Sequence, residues 1–281
     1  MIKKVQGRFS IVRRVFTGIA ALLIAGLGTG AGGALAQTKA PAAKFDAGSM
    51  LNKAIRQPML VERITKSYTL IAQKVLESRS QRQLEESVAE FEKALKDLKF
   101  MAPTADIKDN YQLLEQLWDE YKSLARQAAN PEKNKLLAEQ NEEVVWISQK
   151  GANLLTDYTK STRSELISTA GDIRVLTQRI AKLYLFRSSG IRSQVIDEDL
   201  KKAEEQYRLD MERLLRATQN TEQIKSELAL AETQYLFLKQ GIDRLNQNKT
   251  SKTELEYVAK ACDNILEVMD RVAKLYEGIK A

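Results

Sequence analysis

The chain has 281 residues, with 44 Lys+Arg against 37 Asp+Glu, a single cysteine and no histidine. Without histidine there is no Ser-His-Asp triad, no His-ligated zinc site and no C-x-x-C-H haem attachment, and one cysteine cannot close an internal disulfide. The formal charge of +7 suggests an anionic partner only until its distribution is examined.

Five of the positive charges (Lys3, Lys4, Arg8, Arg13, Arg14) lie in residues 1–36, which contain no acid. An apolar run follows from Val15 to Leu27, then a small-residue tail ending in Ala34-Leu35-Ala36. This is the pattern of a secretory signal peptide cleaved after Ala36. Gly26, Gly28, Gly30, Gly32 and Gly33 argue against the alternative, an uncleaved spanning helix. Arg13-Arg14 leaves the Sec and twin-arginine routes both open. Once residues 1–36 are removed, 39 basic residues face 37 acids, a net charge of +2. A nucleic-acid partner is therefore not expected, and the expected compartment is the periplasm.

After a linker over 37–44, apolar residues recur at steps of three and four, the pattern of helices that bury one stripe. Leu84, Val88, Phe91, Leu95 and Leu98 form one seam; Ile107, Tyr111, Leu114, Trp118 and Tyr121 form another. Ile224, Leu228, Ala231, Tyr235, Leu238 and Ile242 form a third, and Leu255, Ala259, Cys262, Leu266, Met269 and Tyr276 a fourth. Turn compositions fall at 102–104, 130–131, 188–190, around Asn220 and at 246–250. No stretch alternates with period two, so the expected class is all-α.

The helical order repeats. At an offset of 116, Ala54, Leu60, Arg63, Ile64, Lys66 and Tyr68 meet Ala170, Leu176, Arg179, Ile180, Lys182 and Tyr184. Trp118 falls near Tyr235. This predicts two tandem four-helix bundles, over 45–160 and 161–281. With no proline between Lys135 and Arg187, one long helix through about 137–187 would join them end to end. The Thr162-x-x-Glu165 capping pattern argues for a fresh start there instead.

One segment has family-level character: AGDIRVLTQRIAKLYL, residues 170–185. With Ala170, Gly171, Arg174, Leu176, Thr177, Gln178, Arg179, Ile180, Ala181, Lys182 and Tyr184, it resembles the signature of the type IV pilus methyl-accepting chemotaxis transducer N-terminal (PilJ-type) family. The first half is similar but degraded, with Ile55 in place of the glycine and Pro58 in place of Arg174. The resemblance extends to the periplasmic domain of nitrate/nitrite sensor kinases, a four-helix bundle in which the matching arginine binds an anion across a dimer axis. It implies a ligand site for a small oxyanion such as nitrate at Arg174, and it keeps a homodimer open. Gln178 and Lys182 share the Arg174 face at steps of four, Gly171 lies one turn earlier, and Arg179, about 100° further round, is a candidate for this site or for another contact.

A guanidinium offers a planar fork suited to a flat oxyanion. Gly171 would let a partner helix approach closely. Arg174, read as a surface residue, should contribute little to stability. No metal or cofactor is expected. Family sensors are followed by a second span and a signalling region; the sequence ends at Ala281 without either, which predicts a membrane-bound signalling or pilus-associated partner. The expected function is a periplasmic sensory, ligand-binding bundle, and the alternative is a structural or adaptor bundle without a ligand. An enzyme is not expected, since the Glu142-Glu143 and Glu204-Glu205 pairs fit solvated faces.

Overall fold

The computed structural model describes residues 47–247 and 251–279; the expected signal peptide (1–36) and linker (37–44) lie outside the described residues. The described residues form eight α-helices: α1 (Ala47–Ala72), α2 (Glu77–Met101), α3 (Ala105–Ala125), α4 (Pro131–Thr159), α5 (Thr162–Ser188), α6 (Gln194–Leu215), α7 (Glu222–Asn246) and α8 (Lys252–Glu277). Their ends follow from local chemistry. The side chains of Thr104, Asn130, Ser161, Ser193 and Ser251 each accept a hydrogen bond from the backbone N–H three residues on, satisfying one of the donors that a helix start leaves unpaired. Pro131 occupies the first turn of α4, where its missing N–H costs nothing.

The apolar seams are buried as their spacing requires. Phe91, Leu98, Tyr111, Leu114, Trp118, Leu228, Leu238, Cys262, Met269 and Tyr276 are all at most 1% exposed. Cys262 is a buried thiol, pushed up to about 12 by burial, which makes it a small core residue rather than a reactive one.

The single long helix expected through 137–187 does not form. Lys160 ends α4 in the left-handed region (φ 37°, ψ 60°), and the Ser161 hydroxyl, one residue before the expected cap, starts α5. The chain reverses there: Gln149 meets Asp172, and Glu142 meets Lys182, so α4 and α5 run antiparallel. Thus the halves are not stacked end to end. The described residues form one compact unit.

The two halves meet along α1 and α5, which run parallel. Asn52 bonds Arg174, Ile55 lies over Gly171, Glu62 bonds Arg179, and Gln73 bonds the Leu185 carbonyl. From Ile55–Gly171 through Glu62–Arg179 to Gln73–Leu185 the partners advance together along both helices. Within each half the first helix packs on the second and fourth, and the third on the fourth. Each half also holds one stacked aromatic pair between its second and third helices. These are Phe91 on Trp118 (3.8 Å between centroids) and Tyr207 on Tyr235 (4.0 Å).

Candidate functional site

Helices α1 and α5 carry few acids, yet Arg174, Lys66, Lys182 and Glu62 are all fully buried in or beside their seam. A buried charge is tolerated only when paired. The pairs occur at three levels along the seam.

At the first level, two guanidinium groups converge on one carboxylate. Arg174 Nη1 donates to Asp270 Oδ1 at 2.7 Å, and Arg56 Nη1 donates to the same oxygen at 2.5 Å. Arg174 Nη2 donates to Asn52 Oδ1 at 3.0 Å, and Arg56 Nε donates to Glu90 at 2.5 Å. Burial opposes the Asp270 charge, but Arg174 and Arg56 outweigh it and hold the carboxyl below its usual range. Burial also works against the Arg174 charge; Asp270 supports it, the neighbouring Arg56 opposes it, and the net shift is downward.

At the second level, Glu62 on α1 lies between Lys182 (2.7 Å) and Arg179 (2.8 Å) of α5. Both cations also reach Glu142 on α4, Lys182 bonds Asn141 at 2.5 Å, and Arg179 bonds Asp199 at 3.2 Å. Burial acts against the Glu142 charge, and Lys182 and Arg179 overcome it, holding the carboxyl down at about 2. The third level is Lys66, 2.5 Å from Asp263 on α8, with Arg79 and Gln83 on the other carboxylate oxygen. Each half's signature lysine therefore reaches the last helix of the other half.

The five candidate ligand-site residues are thus divided. Gly171 and Arg174 sit together at the first level: a Cβ placed on Gly171 would lie 1.6 Å from Ile55 Cγ2 and 3.5 Å from Arg174 Nη2. The closely approaching helix is α1 of the same chain. Arg179 and Lys182 belong to the second level. Gln178 lies between the two levels in sequence, fully buried, and neither its Oε1 nor its Nε2 makes a hydrogen bond among the described residues. Arg174 is not a surface residue, because α8 and α1 close over it. Glu142, read as part of a solvated face, is a half-exposed member of the second level. Sequence reasoning missed Asn52, Glu62, Asp263 and Asp270. Asp263 and Asp270 are seven residues apart on α8, a spacing that puts both beside its apolar seam, and that was the one available signal.

Residues 46–143 match the sequence profile of the type IV pili methyl-accepting chemotaxis transducer N-terminal family, PilJ. This segment is a PilJ-family domain. Comparisons with curated proteins and with solved structures gave no match. The PilJ match covers α1 to α3 and part of α4, the half that carries Ile55 and Pro58. By its description the family is the N-terminal part of methyl-accepting chemotaxis transducers of type IV pili. Among the described residues no helix is long and apolar enough to cross a membrane, and no cluster of potential metal ligands occurs.

Proposed function

We propose that this chain is exported to the periplasm and acts there as a signalling bundle through contact with a membrane-bound chemotaxis transducer or pilus-associated protein, with no small-molecule ligand at Arg174. The observation that carries this reading is the carboxylate of Asp270. It takes both Arg174 and Arg56, with Arg174 fully buried. A small oxyanion would have to displace a carboxylate that is already paired twice. Within this reading, residues 45–160 and 161–281 are two copies of one four-helix unit. The parallel α1–α5 seam and the matching aromatic stacks support it, and the chain supplies internally what a dimer axis supplies elsewhere.

A thermal-shift comparison with nitrate, nitrite and sulfate tests it. The wild-type chain should not respond beyond the general salt effect. Asp270→Ala should lose stability, since it leaves the buried Arg174 guanidinium beside Arg56 without the carboxylate that neutralises both, and should regain part of it with a small anion. Stabilisation of the wild type by one anion, abolished in Arg174→Lys, would replace the adaptor reading with an oxyanion sensor; at a hundredfold its Kd such a ligand adds about 2.7 kcal/mol. That second reading has one observation in its favour. Arg174 Nε and both amide atoms of Gln178 are buried without a hydrogen bond, so donors on one face of α5 remain unused.

A further inference from the structure

The outer face of α7 differs from that of its counterpart, and little of the difference is used inside the fold: Phe237 meets Tyr257 edge to face (6.4 Å between centroids), while Leu230 and Leu236 face water. α7 buries Ile224, Leu228, Ala231, Leu238 and Ile242 against the rest of the bundle. It then exposes a second stripe made of Ala229, Leu230, Thr233, Leu236 and Phe237. Leu236 is 63% exposed, Leu230 41% and Phe237 40%. Ser226 and Gln240 extend the stripe at either end, so it carries no charge from 226 to 240. The third helix of the other half holds the same place. Aligned on the stacked Trp118 and Tyr235, its matching positions are Asp109, Gln112, Leu113, Gln116, Asp119, Glu120 and Ser123, all exposed, so that Leu113 matches Leu230 but acids stand where α7 has Leu236 and Phe237. The fold therefore does not require an apolar outer face on this helix, and apolar side chains left in water there lose the benefit of burial.

The stripe is symmetric about Thr233. Ala229 and Leu230 precede it by four and three residues, and Leu236 and Phe237 follow it by three and four; Ser226 and Gln240 lie seven away on either side. Eleven residues away stand opposite charges: Glu222 before it and Arg244 after it, both exposed. Glu222 is held only by Lys225 within its own helix, and Arg244 lies 3.8 Å from Glu254. If two copies of α7 cross antiparallel with the dyad through Thr233, Leu230 meets Leu236, Ala229 meets Phe237, and Glu222 meets Arg244. Glu227 and Lys239 are likewise mirrored, and no mirrored pair between 222 and 244 brings like charges together. A parallel pairing would instead set every charge against its own copy. The α1–α5 seam is not available for such contact, because its central residues are already buried within one chain.

We infer that the outer face of α7 is a self-association surface, on which a second copy of this chain docks antiparallel about Thr233. An isologous contact of this kind joins the same patch on both copies and closes at a dimer. Because it uses α7 and not the Arg174 level, it stands whether or not an anion binds there.

Sedimentation velocity over a concentration series tests this directly. The chain should pass from monomer to dimer with rising concentration, and Leu236→Glu should leave it monomeric with an unchanged helical spectrum. Glu222→Arg and Arg244→Glu should each weaken the dimer by roughly tenfold, since an exposed pair contributes little and is lost twice by symmetry; the two together should restore it. Thr233→Cys should be captured as a dimer by a short bis-maleimide, while Ser226→Cys alone should not, because its mirror position is Gln240. Buried Cys262 does not compete. A monomer at every concentration would overturn the proposal, as would efficient capture of Ser226→Cys in place of Thr233→Cys.

Discussion

Gly171→Ala places a methyl group at the closest point between the two halves. A Cβ there would lie 1.6 Å from Ile55 Cγ2, whereas carbon atoms in contact sit roughly 3.5–4.0 Å apart. About 2 Å must be found. Ile55 cannot yield it by rotation, since a β-branched side chain in a helix has one strongly preferred χ1. Nor can α1 retreat easily, for it packs on α2 and α4 as well as α5. Overpacking of this kind costs up to about 3 kcal/mol, from which alanine's helix preference over glycine returns about 1 kcal/mol. The expected net loss is about 2 kcal/mol, or roughly 4–8 °C in Tm for a chain of this size.

The decisive arm is the pair. Ile55→Ala alone should cost about 2–5 kcal/mol by leaving a cavity. With Ile55 truncated, the new methyl group of Gly171→Ala enters that cavity, so the double variant should be less destabilised than the sum of the singles by about 2 kcal/mol or more. Denaturant midpoints at constant m-value give the four stabilities. Additivity to within about 0.5 kcal/mol would mean that the two positions do not touch, and the in-register pairing of α1 with α5 would be wrong.

Small-angle scattering of the chain without residues 1–36, carrying Leu236→Glu to keep it monomeric, should give a radius of gyration near 18 Å, as expected for a compact body of about its length; a clearly larger radius with a rod-like profile would favour the end-to-end arrangement. Asp172 makes stability depend on pH. Burial first, then the nearby Asp210, push its carboxyl up to about 7, against which the Gln149 amide, Arg174 and Arg213 act. Its folded pKa lies above its unfolded one, so the folded chain holds the extra proton and stability falls as pH rises from about 4 to 7. The loss is at most on the order of 4 kcal/mol. Asp172→Asn can still accept from Gln149, and it should remove that slope and be the more stable chain at pH 8; an unchanged slope would refute the assignment.

The all-helical class, most of the turns and the buried seams follow from local chemistry. Each helix must bury one stripe, so Phe91, Trp118, Leu228 and Met269 could be assigned to a core without knowing what they pack against. The offset of 116 was equally legible in the sequence, and Ile55 lies over Gly171, 116 residues on. What a stripe does not encode is its partner. The same periodicity serves halves stacked on a long helix or halves lying side by side, and the decision rests on two residues: Lys160, left-handed, and the Ser161 cap. The Arg174 level was illegible for the same reason. A solvated arginine and one closed over by α8 look alike along the chain, and Asp270, 96 residues away, reaches it only once α5, α8 and α1 have packed. Sequence alone set which faces are buried; tertiary packing decided which faces meet, and so which charges neutralise one another.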